Sequence, residues 1–300
     1  DAGKVTEVAF KERLDAHRLI EEFMVLANVA AAETLIAKRQ PLLFRVHEEP
    51  SPEKLDTLRE VAGASGFTLA KGQVLKTAHL NRLLEQAAET ETNELINMAT
   101  LRSMTQAYYN PENFGHFGLA LKAYAHFTSP IRRYPDLIVH RALIRAHGWG
   151  DDGLSPEDIE DLDSTAEHIS DTERRSMMAE RDTTDRYLAA YLNDRVGSEF
   201  TGRISGIARF GVFVKLDETG ADAMIPMRNL GAEYFHYDGE TQTLMGADTG
   251  KVIGMGQRAV VKLNEAAPVT GGLIVELFSL EGKTVRHGPK SGRGKPPRRK

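Results

Sequence analysis

The 300-residue chain contains no cysteine. That excludes disulfides and thiolate metal sites, and it makes a reducing compartment, the cytoplasm by default, the expected home. Long apolar runs are lacking too. The stretch FMVLANVAAA, Phe23 to Ala32, falls short of the roughly 20 residues that a membrane span needs, so no span is expected. The opening DAGKVTEVAFKERLDAHRLIEEF has no initiator methionine and no charged-then-apolar signal with a cleavage site, and reads as the start of a fragment. No internal repeat is evident. Acids are absent from Gly282 to Lys300 (GKTVRHGPKSGRGKPPRRK), which holds eight Lys and Arg although the whole chain carries a formal charge of −5. Glycine, proline and cations cannot pack a core, so this tail is expected to be disordered. It is either an arm that pairs with phosphates or a solubilising terminus.

What is present is enough for a core. With 41% apolar residues, this length predicts one large domain joined to a smaller one. Leu14 to Arg39 carries Leu19, Phe23, Leu26 and Ala30 at helical spacing, with enough further apolar residues to predict a mostly buried helix. EEPSPEKLDTLREVAGASGF reads as a proline-marked turn, a short helix and a glycine stop. Leu80 to Ala107 is expected to be helical until YNPENFGHFG breaks it. A long helical pattern starts at Ser155, where Ser155 suits the N-cap, Pro156 the first turn, and Glu157 and Asp158 the positive end of the dipole. Its stripe of Ile159, Leu162, Ala166 and Ile169 continues in helix-favouring residues to about Asn193. At Gly197 the period changes. EFTGRISGIARFGVFVKLDETGADAMIPMRNL alternates apolar and polar residues, and RAVVKLNEA and GLIVELFSL read as further strands. Five short strands in roughly 85 residues fit a Greek-key barrel of the OB type.

The densest chemistry lies in YAHFTSPIRRYPDLIVHRALIRAHGW, Tyr124 to Trp149. A helix opened by Pro135 presents unpaired N–H groups and a positive dipole end, and a guanidinium fork just before it can grip phosphate oxygens. Arg132 and Arg133 stand there. Two roles are open to them: an anion site, or a staple in which one or both pair with a carboxylate such as Asp136. His126, His140 and His147 are read as core or surface histidines, because His140 and His147 lie two turns apart and cannot share a metal without a third element. The carboxylates of PEDIEDLD, Pro156 to Asp163, are read as the solvated face of a helix start rather than a magnesium site. In RFGVFV, a regular strand would turn only one of Phe210 and Phe213 outward, and a bulge at Gly211 would let them share a face. If exposed beside Arg203, Arg209 and Lys215 they would stack bases and hold phosphates. If buried they would fill the barrel.

GHFGLALKAYAHFTSPIRRYPDLIVHRAL resembles the signature region of the RNase II and RNase R exoribonuclease family. AHRLIEEFMVLANVAAAE, LLFRVHEEPSP, INMATLRSMTQAYYNPEN and TERRSMMAERD follow in that family's order, from about Asp15 to Asn193. The barrel is similar to the RNA-binding domain repeated in the largest small-subunit ribosomal protein, and a basic tail after it favours the RNase R-like branch. The resemblance implies an α+β chain: 1–194 the mainly helical distal part of an RNB catalytic domain, 195–281 a five-stranded OB-fold RNA-binding barrel, 282–300 the tail. It implies processive 3′-to-5′ hydrolysis of RNA to nucleoside 5′-monophosphates with magnesium held on clustered aspartates.

It also implies roles for single residues. Arg132 takes the place of the arginine that positions the scissile phosphate, and Glu21 that of the glutamate that contacts the terminal ribose. Glu180 matches a glutamate near the active site of RNase II-like members. Arg133, Arg203, Arg209, Phe210, Phe213 and Lys215 are the other expected RNA contacts. The expected partner is the 3′ end of single-stranded RNA, with structured RNA as a further candidate, and a monomer is expected. The chain departs from the pattern in three ways: no aspartate cluster precedes Glu21, no cold-shock domain is present, and Pro226 stands where the ribosomal-type domain often has a histidine on its RNA face. The chain alone is therefore expected to be inactive. The alternative is a non-catalytic RNA-binding protein derived from the family.

Overall fold

The computed structural model describes residues 4–71, 75–90, 92–239 and 241–287. The chain divides into two compact units, one of residues 11–179 and one of residues 180–300 with residues 1–10. Among the described residues, no helix is long and apolar enough to cross a membrane.

The first unit is built on α1 (Asp15–Ala37), α2 (Pro52–Ala64), α3 (Thr77–Ala87), α4 (Asn93–Ser103), α5 (Tyr134–His147), α6 (Pro156–Glu160) and the first part of α7 (Leu162–Leu192). Two three-residue strands, β1 (Phe44–Val46) and β2 (Tyr108–Asn110), pair antiparallel with Arg45 opposite Tyr109. The caps follow local chemistry. Ser51 accepts from the Lys54 N–H ahead of Pro52, Ser155 and Asp158 form a reciprocal capping box, and Gly148 closes α5 at φ 61°. One core joins Leu35, Leu43, Val46, Ile138, Val139 and Leu162, and a second joins Leu58, Leu80, Leu83 and Ile96 from α2 to α4.

Three helical expectations need correction. The run expected as one helix from Ser155 to about Asn193 is two, α6 and α7, parted at Asp161, where the backbone leaves helical geometry (φ −89°, ψ 5°). The pattern from Leu80 to Ala107 forms two helices, α3 ending at Ala87 and α4 starting at Asn93, and in the turn between them the Ala87 carbonyl accepts from both the N–H and the hydroxyl of Thr90. Helix α1 is not mostly buried. Asn28, Ala31, Ala32 and Leu35 are covered, whereas Leu19, Ile20, Phe23 and Leu26 are 56%, 57%, 59% and 64% exposed. Apolar spacing identified the helix, but burial of its first half needs covering groups that the described residues of its unit do not supply.

The second unit is the barrel. Strands β3 (Glu199–Ala208), β4 (Gly211–Leu216), β5 (Asp222–Pro226), β9 (Arg258–Ala267) and β10 (Gly272–Leu280) run in the order β9-β3-β4-β5-β10, and β10 returns to pair with β9. Five strands therefore close on themselves, with β5 and β10 as the parallel pair. Val212, Val214, Leu216, Ile225, Val261 and Leu277 fill the interior, where Ala189 and Leu192 of α7 join them. Gly202 and Gly211 permit the closure: a Cβ on either would lie 2.4 Å from a backbone oxygen, of Lys215 and Ile225 respectively. Between β5 and β9 the chain adds a three-stranded antiparallel sheet not expected from the pattern, β6 (Phe235–Asp238), β7 (Thr243–Gly246) and β8 (Val252–Ile253).

The division into compact units falls within α7, at residues 179 and 180. The stretch 282–300, expected as one disordered tail, begins as structure: β11 (Lys283–Thr284) pairs with β10, Val285 packs on the barrel core, and His287 Nε2 meets the Leu277 carbonyl at 2.6 Å. The rest of that expectation lies outside the described residues.

Candidate nucleic-acid interface

The turn before α5 is fixed from beneath by two buried side chains. The Ser129 carbonyl accepts from the Arg132 and Arg133 N–H groups, both at 3.2 Å. Asp136, in the first turn of α5 and fully buried, accepts from the Ser129 N–H at 2.7 Å and from Arg133 Nη2 at 2.8 Å. Its other oxygen and Arg133 Nε are buried without partners among the described residues. Asp136 is fully buried and Arg133 largely so, so opening the ion pair would leave a buried carboxylate without its cation. From α1, Asn28 accepts from the Phe127 and Thr128 N–H groups at 2.9 and 3.2 Å and donates to the Tyr124 hydroxyl at 2.9 Å.

The adjacent arginines are thus separated in role. Arg133 folds inward and staples the helix entry, the second of the two roles its position allowed. Arg132 is exposed, and among the described residues its side chain has no hydrogen-bonded or ion-paired partner. A free guanidinium on a locked turn is suited to a bidentate oxyanion. Glu21 is exposed on α1 and ion-paired with Arg13. It lies seven residues before Asn28, about two helical turns, so the two share a face of α1. Glu180 is exposed on α7 and belongs to the other unit.

The remaining polar residues of this unit serve structure. His140 bonds the Phe127 carbonyl at 2.9 Å and stacks on the Phe127 ring, and His147 stacks on Trp149. His126 bonds the Tyr109 hydroxyl at 2.8 Å, and burial, reinforced by Arg133, pushes its pKa down to about 3. Asp158 forms two bonds with Arg141 and one with the Ser155 N–H. No group of three or more His, Asp or Glu that could hold a metal ion occurs among the described residues. The described residues therefore do not fit the magnesium centre that the resemblance implies.

On the barrel, alternation along β4 buries Val212, Val214 and Leu216 and turns Phe213 and Lys215 outward. Phe210, in the turn before β4, is 62% exposed, and its ring meets Phe213 edge-on with centroids 5.9 Å apart. Both phenylalanines lie outside the core. Phe210 lies in the turn and not in the strand, so the alternation of β4 does not govern its direction; the register of β3 with β4 is regular at Gly211 and slips only between Ile204 and Gly206. In register, Arg203 of β3 lies between Lys215 of β4 and Arg258 of β9, so three cations cross three strands. Arg203 is half-buried and reaches the Gly256 carbonyl at 3.4 Å. Arg209 is exposed with its guanidinium 5.9 Å from the Tyr237 ring.

Asn28, Arg258 and Tyr237 were not among the expected site residues. Asn28 carried a signal, as the one polar side chain within FMVLANVAAA. Arg258 carried none, since only strand register places it beside Arg203.

Comparison with known proteins agrees with both units. The RNB domain matches residues 1–147 and the S1 RNA binding domain matches residues 193–278. The chain is similar to Ribonuclease R of Escherichia coli, 38% identical over 303 residues that cover 96% of this chain and 37% of that protein. It therefore spans little more than a third of the length of this curated relative. Mycoplasma genitalium RNase R in complex with ribose methylated single-stranded RNA superposes with a TM-score of 0.83 at 30% identity, covering 90% of this chain and 42% of that one. The same protein in complex with double-stranded RNA gives a TM-score of 0.70 at 27% identity, covering 89% and 43%.

Proposed function

This chain belongs to the RNB family, in its RNase R-like form with an S1 domain after the RNB domain, and from that premise we propose that it is the distal, RNA-gripping part of a 3′-to-5′ exoribonuclease. The observation that carries the reading is the split between the two arginines: Arg133 is consumed by Asp136 while Arg132 is presented free on the same turn.

In this reading Arg132 holds the phosphate next to the RNA 3′ end. A phosphodiester approaching its transition state gains charge on its non-bridging oxygens, and a guanidinium held by a rigid turn stabilises that charge more than the ground state. Glu21 accepts the hydrogen bond of the terminal ribose 2′-OH, which DNA lacks. Its pairing with Arg13 at an exposed site is weak enough to be exchanged for the ribose. The S1 barrel holds upstream nucleotides, stacking bases on Phe210 and Phe213 and pairing phosphates with Arg203, Arg209 and Lys215. Glu180 stays a proposed catalytic residue by the resemblance to RNase II-like members alone.

By the resemblance, hydrolysis would need a divalent metal, magnesium, that none of the described residues is grouped to hold. Such a metal would supply activation of water and stabilisation of the leaving oxygen. Its aspartates belong to polypeptide upstream of Glu21, and the exposed apolar face of α1 supports a reading in which further polypeptide packs there. Alone, the chain binds single-stranded RNA in a salt-sensitive way and releases no nucleotides with magnesium present. Nucleotide release by clean protein, lost on Arg132→Ala, would overturn the assignment of the metal site to upstream residues. The alternative is a non-catalytic RNA-binding protein derived from the family. An aspartate cluster in the upstream coding sequence decides for the nuclease, and its absence decides for the binding protein.

A further inference from the structure

The inserted sheet β6 to β8 carries an aromatic cluster, Tyr234 to Tyr237, that has no part in the function described so far. Alternation on β6 buries Phe235 in the barrel core and leaves Tyr237 half-buried at the edge of that core, while His236 is exposed. The Tyr237 hydroxyl has no hydrogen-bond partner among the described residues, so packing alone does not account for a tyrosine here. Its ring lies 5.9 Å from the guanidinium of Arg209, whose chain neighbour is the exposed Phe210. Phe210 in turn meets Phe213. The strand beside β4 contributes no ring at this end, because Pro226 of β5 stands in register with Gly211.

We propose that Tyr237 is a further base-stacking residue of the RNA site, extending the Phe210 and Phe213 platform by one nucleotide, with Arg209 between them on the intervening phosphate. Rings interleaved with a cation are what a single-stranded nucleic acid tracks, since each base offers a π face and each linkage a charge. The present contact between Arg209 and Tyr237 is at the outer limit of a cation–π interaction and sits at an exposed cation. It yields to a phosphate, which leaves the ring for a base. The inference rests on the reading that the S1 barrel binds single-stranded RNA, and it assigns to that site a residue from the inserted sheet.

The test uses the full chain and a labelled single-stranded oligoadenylate, with affinity and melting temperature measured in parallel. Tyr237→Leu keeps apolar bulk but removes the π face, and Tyr237→Phe keeps the ring. Affinity falls between about fivefold and a hundredfold in the leucine variant, the span of one base stack, and is unchanged in the phenylalanine variant. Wild-type affinity in Tyr237→Leu, or equal losses in both variants, overturns the proposal. If the leucine variant melts earlier, photocrosslinking decides on the unaltered protein: 4-thiouridine RNA must label the peptide holding Tyr237, and no label there refutes the role. A Phe210→Leu and Phe213→Leu double variant separates the two levels. Loss there without loss at Tyr237 leaves the barrel reading intact and ends this inference, whereas no loss at either ends the barrel reading itself.

Discussion

Two neighbouring arginines with the same chemistry have opposite fates because of one carboxylate three residues on. Asp136 is fully buried and fixes Arg133, so truncating Arg133 leaves a charge without its partner. Arg133→Ala is expected to cost about 3–5 kcal/mol of stability, read by urea denaturation. Arg132→Ala is expected to leave the urea midpoint unchanged and to weaken single-stranded RNA binding, lowering the salt slope by about 0.7. Arg132→Lys should not restore phosphate positioning in a nuclease that contains the upstream residues, because a point charge lacks the planar fork. Urea curves that shift equally for Arg132→Ala and Arg133→Ala would contradict this division. Asn28 acts at the same scale from a distance. It holds two backbone N–H groups nearly a hundred residues away in sequence, so Asn28→Ala is expected to destabilise by about 1–3 kcal/mol for each donor left unsatisfied.

At the scale of elements, an imidazole cluster ties β1 and β2 to the segment that leads into α5. His47 stacks on His116 at 5.2 Å, Tyr124 meets both His116 and His126 edge-on, and Tyr109 of β2 bonds His126. Burial, the largest cause in each case, lowers the pKa of His47, takes that of His116 to about 4 and that of His126 to about 3. These groups are neutral in the fold but take up protons more readily when unfolded. Their contribution to stability is therefore complete above about pH 6.5 and is lost as pH falls toward 4 and 3. The melting temperature of the chain should drop across that window, and a His116→Gln, His126→Gln double variant should flatten the drop. An undiminished slope in that variant would show that other groups carry the acid sensitivity. Element identity was legible where caps and periods agree, as at Ser155 and Pro156. It was not legible between Ala87 and Asn93, where a turn divides the helical pattern, nor on the exposed face of α1. Apolar spacing reports which residues share a face, whereas covering that face depends on a neighbour.

For the whole molecule, the division into units and the route of the C-terminus decide how it can be cut. Residues 283–287 are part of the barrel. Removing residues 288–300 takes away six of the eight Lys and Arg after Gly282. That deletion is expected to weaken RNA affinity and flatten its salt dependence without changing the melting temperature. A deletion from Gly282 should lower the melting temperature as well, because it strips β11, the packing of Val285 and the bond from His287 to Leu277. Unchanged affinity in the shorter deletion would make the tail a solubiliser.

The sequence by itself determined the change from helical to strand period near Gly197, the order of motifs that identifies the family, and the exclusion of thiol chemistry. Those features are written among residues a few positions apart or in composition. Only the tertiary structure decided that Arg132 and not Arg133 is free, that Phe210 and Phe213 lie outside the barrel, and that Arg203, Lys215 and Arg258 form one row. Each of those depends on burial or strand register. Both are set by partners far along the chain, such as Asn28 on Tyr124 or Arg45 on Glu173, that no local pattern brings together.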